Sequence, residues 1–462
     1  MRKTKKKKGG VNLNTIAAIS TPMGHGGIGI VRISGDHALD IIQKIFIPKK
    51  KGEWKPYTLR LGTIMDAENT VMDQVLVSYF KAPKTYTGED VCEINCHGGL
   101  VVTKQILELV IQQGAILAAP GEFTQRAFLN GKMDLTQAEA VMDLISSKSE
   151  KENKVSVKQM EGQLGKKIHA YKEEIIQLLV DIEANIDYPE YDVPEVRRDN
   201  LIAILQQVII KLGALEATFE NGKVLKEGVN TAIIGKPNVG KSSLLNALLR
   251  ENRAIVTEIA GTTRDTIEEY VTIKGIPLKL IDTAGIRETT DLVENIGIEK
   301  SKKAIEDAEL VLLLLDASTG IDEEDKELIE AVKEKNHIIL INKIDKENKV
   351  DIQQLKGHIV LEISITQNTG LEQLEEKIES LFFHQELETE DDILITNVRH
   401  QSLIGKAKNE LMHVIKAAKE GIPLDMLSIE MNNAIQNLGE ITGESVSEEV
   451  VKGIFAKFCL GK

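Results

Sequence analysis

The sequence predicts a multidomain α/β protein in which a domain with a mixed, mostly parallel sheet interrupts an all-α domain and follows a smaller α+β domain. Three observations predict it. A buried-strand pattern, a glycine-rich loop and a helix pattern succeed one another from Thr231; strand and helix patterns then alternate to about Phe382; and helical periodicity flanks that block on both sides. At 462 residues the chain has room for about three domains.

Residues 1–125 read as the α+β domain. Strand patterns (YTLRLGTIMD, QVLVSYF, VCEINC) mix with helical stretches at Asp36–Phe46 and Val101–Gln112. In the strand candidate Val91–His97, alternation places Cys92, Ile94 and Cys96 on one face and Glu93, Asn95 and His97 on the other. The two cysteines therefore read as core and not as a metal site with His97. Three cysteines are too few for a disulfide scaffold and fit a reducing cytoplasm. The third, Cys459, lies in the terminal FCLGK, which Gly461 and Lys462 make unsuitable as a prenylation box. The leader MRKTKKKK runs into no apolar core, so it reads as a solvated tail and not as a secretion signal. No apolar run reads as long enough to span a membrane. A net charge of −14 argues against a broad grip on nucleic acid, so an RNA partner would have to meet a local basic patch.

From about Thr124 to Phe219 the pattern is helical. Ile168, Tyr171, Ile175, Leu178, Ile182 and Ile186 share one face, and Leu201, Leu205, Val208, Leu212, Leu215 and Phe219 repeat at near-heptad spacing, with Pro189 and Pro194 between the two helices. Helical periodicity returns after the acidic linker Glu386–Asp392: Leu403, Ala407, Leu411, Val414 and Ala418, then Leu427, Met431, Ile435 and Leu438. A C-terminal piece of that size has a poor core alone. Residues 126–226 and 384–462 are accordingly expected to form one helical domain, with 227–383 inserted between them.

The inserted block carries the chemistry. Gly235–Ser242 reads GKPNVGKS and matches G-x-x-x-x-G-K-[ST], a loop whose backbone N–H groups, including those of Asn238, Val239, Gly240 and Ser243, cradle phosphate oxygens. Lys241 would reach the β- and γ-phosphates, and Ser242 would offer its hydroxyl to Mg²⁺. Asn342-Lys343-Ile344-Asp345 follows the strand candidate His337–Ile341 and resembles the guanine-reading NKxD element, in which the Asp345 carboxylate accepts both N1–H and N2–H of guanine. Adenine cannot offer that pair. Asp282-Thr283-Ala284-Gly285 follows the strand candidate Ile276–Ile281, with the Asp for water-mediated Mg²⁺ binding and the Gly for the γ-phosphate. Gly261–Asp265, GTTRD, resembles a first switch, with Thr263 as second Mg²⁺ hydroxyl. Ser364 follows the strand candidate His358–Ile363 where the last guanine-loop motif belongs, but Ile365 replaces the usual Ala. Together these motifs read as a Ras-like P-loop GTPase.

Where Ras-like proteins carry a water-orienting Gln after the DxxG glycine, this chain has Ile286. Asn238 in the phosphate loop is shared with GTPases that use a bound K⁺ in place of an arginine finger. K⁺ is therefore expected on Asn238 and on backbone oxygens near Thr257, Ile259 and Thr262. A plain role for Asn238 in shaping the tight loop is the alternative. Arg287 and Glu294 lie in the charged stretch just downstream.

With these motifs, TPMGHGGIGIVRISG (Thr21–Gly35), TGEDVCEINCHGG (Thr87–Gly99), PGEFTQRAFLNGKMDLTQAEAVMDLI (Pro120–Ile145) and the terminal FCLGK, the chain resembles the MnmE/TrmE family of tRNA-modifying GTPases along essentially its full length. The resemblance implies GTP hydrolysis in cytoplasmic modification of wobble uridine at C5 in certain tRNAs, giving an aminomethyl or carboxymethylaminomethyl group. It implies a homodimer through the N-terminal domains, and a heterotetramer with an FAD- and NADH-using partner of the MnmG/GidA type. It also implies a 5-formyl- or methylene-tetrahydrofolate site in the N-terminal domain, lined by Arg32, Glu93, Lys132 and Lys462. By the same match, Thr257, Glu258, Ile259, Ala260, Gly261, Thr262 and Thr263 contact GTP or its ions, and Glu294, with Arg287 and Asn238, serves hydrolysis. Cys459 is either a nucleophile or a packed thiol. The competing function is a ribosome-assembly switch, which predicts an RNA-binding domain after the GTPase block and no folate site.

Overall fold

The computed structural model describes residues 14–187, 198–251, 269–281, 297–383 and 393–462. By their contacts these form two compact units, one from the described residues up to Met142 and from Gly439 onward, the other from those between Asp143 and Leu438.

In the first unit, β1 (Ile16–Ile19), β2 (Gly26–Ser34), β3 (Phe46–Pro48), β4 (Thr58–Met65), β5 (Val71–Phe80), β6 (Val91–Gly98) and β7 (Ile116–Leu117) form one sheet in the order β3-β4-β5-β6-β2-β1-β7. Neighbours are antiparallel except β1 with β7. Helices α1 (Ala38–Ile45) and α2 (Leu100–Gln112) contribute Ile41, Ile42, Ile106 and Val110 to a core with Val31, Ile33, Val77 and Ile94. The alternation expected in β6 is observed: Cys92, Ile94 and Cys96 are buried, while Glu93, Asn95 and His97 lie more open. Burial pushes the Cys92 thiol well above its ordinary range, as befits a core residue. Among the described residues no group of three metal-ligating side chains comes together. Strand β2 escapes the sequence patterns because Gly26, Gly27 and Gly29 interrupt its alternation, and β1 because it is only four residues long. At Gly29 a Cβ would stand 2.7 Å from the Thr103 hydroxyl on α2, so close helix–sheet approach explains that glycine. Two further helices, α3 (Glu122–Leu129) and α4 (Leu135–Ser146), complete this part of the chain.

The second unit opens with α5 (Glu150–Met160), α6 (Gln163–Asp187), α7 (Arg198–Ala217) and α8 (Phe219–Glu227). Next come β8 (Val229–Ile234), α9 (Lys241–Glu251), β9 (Glu269–Ile273), β10 (Ile276–Leu280), α10 (Gly297–Asp307), β11 (Leu310–Asp316), α11 (Glu323–Val332), β12 (Asn336–Asn342), β13 (Val360–Ile363) and α12 (Leu371–Phe382). The strands form a six-stranded sheet, β13-β12-β11-β8-β10-β9, parallel throughout except for the antiparallel hairpin β9–β10. Its strands are buried on both faces: Val229, Ile233, Leu312, Leu314, Ile338 and Leu340 serve one core, and Ala232, Ile234, Val311, Leu313, Ile339 and Ile341 the other.

After this domain come α13 (Val398–Lys419) and α14 (Ser428–Thr442). Leu201, Leu205, Val208 and Leu212 of α7 are all buried, as are Leu403, Ala407, Leu411 and Val414 of α13. The two helices pack together, joined by Arg198 Nη1 donating to the Ala418 carbonyl at 3.1 Å and by a Lys408–Glu216 ion pair. The α/β domain is thus inserted in an all-α domain whose two halves pack together through α7 and α13, as the periodicity predicts. One expectation is corrected. The stretch Arg198–Glu227 is long and apolar enough by composition to cross a bilayer. Its apolar stripe is the buried face of α7, so in this fold it serves the helical core.

The block 384–462, expected as one helical piece, divides at Gly439. Beyond that point α15 (Glu448–Phe455) buries Val451 and Phe455, with Phe458 after it, against Leu135 and Ala138 of α4 and the ring of Phe128.

A buried carboxyl shapes the start of α5. The Ser149 hydroxyl accepts the Glu152 N–H at 3.2 Å, and Glu152 Oε2 accepts the Lys148 N–H at 2.6 Å, with Glu152 only 4% exposed. Burial pushes the Glu152 pKa from 4.5 up to about 7, against the opposing pull of the Lys148 N–H. The native state therefore holds this proton more tightly than the unfolded chain. The associated stability is complete below the unfolded value and is lost as pH rises through about 7. Glu152→Gln keeps an acceptor for Lys148 without a charge to bury. Amide exchange in α5 should show the variant more stable than wild type by about 3 kcal/mol at pH 8, and equal to it near pH 4.

Candidate functional site

The phosphate loop joins β8 to α9, where the last buried residue of the strand, Ile234, gives way to Gly235. Gly235 (φ 142°), Asn238 (φ 61°) and Gly240 (φ 109°) take left-handed values that turn the chain back on itself. Lys241 opens the helix, and its Nζ donates to the carbonyls of Gly235 and Lys236 at 2.6 and 2.7 Å, spanning the loop. Burial lowers its pKa below the ordinary lysine value. Val239 is buried, Asn238 and Ser243 are exposed, and Ser242 is half-buried at the helix start.

The NKxD element is tied to this loop. Asn342, at the end of β12 and 3% exposed, donates from Nδ2 to the Val239 carbonyl at 2.8 Å, and its Oδ1 accepts the Ile365 N–H at 3.4 Å. Lys343, at φ 67°, donates from Nζ to the Asn238 carbonyl at 2.7 Å and pairs with Asp316 Oδ2 at 2.6 Å. Burial works to raise the pKa of Asp316, but Lys343 and Ser318 override it and hold the carboxyl below its ordinary range. The Ser364 hydroxyl donates to Asp345 Oδ1 at 2.6 Å and so holds Asp345 below the usual carboxylate range. Asp345 is thereby ionised and oriented for a donor edge. Ile365 contributes its backbone N–H, which any residue supplies, so the missing Ala does not disturb this loop.

Asn238, Val239, Gly240, Lys241, Ser242, Ser243, Asn342, Lys343, Asp345 and Ser364 thus belong to three loops at one end of the sheet, at the carboxyl ends of β8, β12 and β13. Thr257, Glu258, Ile259, Ala260, Gly261, Thr262, Thr263, Asp282, Thr283, Ala284, Gly285, Arg287 and Glu294 lie outside the described residues. Asp316 is a member that sequence reasoning missed. Its signal is an Asp ending a strand of buried apolar residues.

A second cluster lies on the open face of the first unit. Arg32 on β2 sits opposite Glu93 on β6, and Arg32 Nε donates to Glu93 Oε1 at 2.8 Å, with both side chains about one-fifth exposed (19% and 20%). The C-terminal tail joins them. Gly461 (φ 86°) lies so close that a Cβ would stand 2.1 Å from the Ile19 carbonyl oxygen; its own carbonyl accepts from Ser20 Oγ at 3.1 Å and Arg32 Nη1 at 3.4 Å. The Gly121 and Phe123 N–H groups donate to the Cys459 and Lys462 carbonyls. Burial, then the charge of Arg32, lowers the Lys462 pKa below the ordinary lysine value, while Glu93 and Cys459 act in the opposite sense. Arg32, Glu93, Lys462 and Cys459 therefore share one neighbourhood. Lys132 lies exposed, its stem beside Gly88, and is tied to β2 through Asn130, which donates to the Thr87 carbonyl at 2.7 Å, and a Thr87–Ser34 hydroxyl bond at 2.7 Å. Sequence reasoning missed the support beneath. Arg126, 2% exposed, pairs with Glu122 at 2.7 Å and Glu89 at 3.1 Å, and Glu89 accepts from Ser34. A buried arginine between two carboxylates holds the loop that carries Thr87.

Parallel sheet, phosphate loop and NKxD element define a P-loop GTPase with guanine-reading loops. Residues 15–132 match the family described as the GTP-binding protein TrmE N-terminus, and residues 135–459 the MnmE helical domain. The chain is 50% identical over 97% of its length to the tRNA modification GTPase MnmE of Acetivibrio thermocellus, covering 99% of that protein, and 49% identical over 98% to that of Enterococcus faecalis, again covering 99%. Among solved structures, Aquifex aeolicus Era bound to GDP and AlF₄⁻ is 28% identical over 40% of this chain and 67% of its own, with a TM-score of 0.25. The chain belongs to the MnmE family of tRNA modification GTPases.

Proposed function

We propose that this chain is a K⁺-dependent GTPase that, with an FAD- and NADH-using partner of the MnmG/GidA type, forms the 5-aminomethyl or 5-carboxymethylaminomethyl group on wobble uridine of certain tRNAs, in the cytoplasm, using a tetrahydrofolate-derived one-carbon unit. The observation that carries the folate part is the return of the C-terminal tail to Arg32 and Glu93, since two cations and a carboxylate from distant parts of the chain gather on one open sheet face. Arg32 and Lys462 suit the carboxylates of a folate tail or a pterin carbonyl. Glu93, with one oxygen on Arg32, has a second for the pterin donor edge. Lys132 serves the same ligand from the loop beside Gly88. Bound folate supplies the one-carbon unit; this chain's part is to bind and orient it. Cys459, beside Lys462, offers a thiol there.

At the nucleotide, Asp345 and Asn342 select guanine, and Lys241 and the loop N–H groups hold the phosphates. Ser242 and Thr263 offer hydroxyls to Mg²⁺, which neutralises phosphate charge when bound. Asn238 fits a K⁺ ligand: its carbonyl is engaged by Lys343, and its exposed side-chain amide is the hard oxygen it can present at the loop's rim. K⁺ supplies the charge that an arginine finger would, with Thr257, Ile259 and Thr262 as further oxygens, while Glu294 directs water and Arg287 assists. Turnover in K⁺ should exceed that in Na⁺ by at least about tenfold, measured as phosphate release; equal rates would remove the K⁺ reading.

The open sheet face exposes Leu59 (62%), Leu61 (41%) and Leu76 (41%), and Leu61 pairs with Leu76 across β4 and β5. A homodimer through this domain would cover them, and two such chains with two partner chains make the heterotetramer. The ribosome-assembly alternative loses its ground, because the GTPase domain leads here into the helical domain of the family. Titration of the full chain with 5-formyltetrahydrofolate tests the folate site. Binding that weakens roughly tenfold or more in Arg32→Ala is expected; undetectable binding to wild type contradicts the site.

A further inference from the structure

The hairpin β9–β10 holds a singular position in the chain. Its first strand begins a few residues after Gly261–Asp265, and its second ends just before Asp282–Gly285, so both segments proposed to meet the γ-phosphate run straight into it. Its tip, Lys274–Gly275, has both residues at positive φ (46° and 85°), as a tight two-residue turn between twisted strands requires.

Its far side meets the helical domain along α8, which packs on β10, and at the turn from Ser147 to Lys151 that leads into α5, where the contacts are polar and cationic. The Thr272 hydroxyl donates to the Lys148 carbonyl at 3.2 Å, and the Lys148 ammonium stands 4.0 Å from the centre of the Tyr270 ring. A Cβ on Gly275 would stand 2.5 Å from Lys151 Cδ, so the stem of Lys151 lies directly on the turn. Lys151 Nζ then reaches Glu379 on α12 at 2.8 Å and lies 5.0 Å from the centre of the Phe383 ring, and Lys274 approaches Glu376 at 4.0 Å. The segment is held on its own side by the Ser149–Glu152 cap.

Two lysines from one turn therefore grip the base, the tip and the neighbouring helix of the hairpin at once. We propose that Lys148 and Lys151 form the joint through which nucleotide-dependent displacement of β9–β10 is delivered to the helical domain, coupling hydrolysis to modification. They are positioning residues, acting through β9–β10 and α12, and their role rests on the proposed GTPase and modification activities. Cation–ring contacts suit such a joint because they tolerate sliding of the cation over the ring face, whereas a buried hydrogen-bond lattice would hold one position only.

The test uses the full chain with its partner protein and substrate tRNA. It compares wild type, Lys148→Ala/Lys151→Ala and Lys148→Arg/Lys151→Arg, recording GTP turnover and modified uridine formed per GTP hydrolysed. The alanine pair is expected to keep turnover within twofold of wild type and to lose at least tenfold in modification per GTP, with the arginine pair restoring most of it. An unchanged ratio in the alanine pair overturns the joint, whether turnover holds or falls in parallel, and so does an arginine pair as defective as the alanine pair. Absence of turnover or of modification in wild type would instead count against the proposed function itself.

Discussion

Asp345→Asn is expected to lower GTP affinity by roughly two to three orders of magnitude and to create binding of xanthosine triphosphate. The physical basis is the hydrogen-bond pattern of the base edge. An ionised Asp345 offers only acceptors, and the Ser364 hydroxyl at 2.6 Å keeps it ionised and aimed. Guanine presents two donors, N1–H and N2–H, to such a group. Hydrogen bonds to a charged partner are stronger than neutral ones, and a misplaced amide donor leaves one of the two unmade and opposes an N–H to an N–H. Xanthine carries an oxygen at C2 in place of the amine, so it matches the acceptor and donor of Asn. Fluorescent-nucleotide titration with both triphosphates measures the exchange, and a variant that retains guanine preference would show that Asp345 does not read the base.

Gly240→Ala is expected to abolish nucleotide binding while leaving the sheet folded. Three costs converge on that position. The backbone sits at φ 109°, where an L side chain is strained by about 1–3 kcal/mol. The added Cβ would stand 2.4 Å from Asn342 Nδ2, and this amide is the group that ties the Val239 carbonyl to the base-reading loop. Moving it away leaves the carbonyl of a buried residue without its donor, at a further cost of about 1–3 kcal/mol. Phosphate loop and guanine loop are therefore damaged together, and a loss of about a thousandfold in GTP affinity corresponds to the sum. Circular dichroism close to wild type, with no saturable GTP binding, is the expected pair of readings. Near-normal affinity would mean that the loop is not pinned through Asn342 when nucleotide is bound.

Legibility in the sequence tracked the physics of each element. Four strands of the inserted domain, β8, β10, β12 and β13, could be read to within a residue or two because a parallel strand buried on both faces has little choice but an apolar run, as Ile338–Ile341 shows. The heptad-like stripe of α7 was legible for the same reason. Strand β2 was not, because its glycines break the alternation, Gly29 for close approach to Thr103 on α2. In α14 the residue at the centre of the buried stripe is Ala434, with Ile435 only partly covered, since a small residue at a close contact is silent in a hydrophobicity pattern. Contacts between distant segments were hidden altogether. The pairing of Lys343 with Asp316, the burial of Arg126 between Glu89 and Glu122, and the seating of Gly461 on Ile19 each join residues that only the fold brings together. The nucleotide motifs stood out because phosphate and base recognition fix both residue type and spacing over short stretches.

Hydrolysis by this chain is held to serve modification of wobble uridine at C5. Nucleoside composition of tRNA from a strain lacking the chain, compared with the same strain carrying it, tests this most directly. Loss of the 5-aminomethyl and 5-carboxymethylaminomethyl uridines, and their return with the wild-type chain, is the predicted result; unchanged wobble uridines in the deletion strain would contradict it.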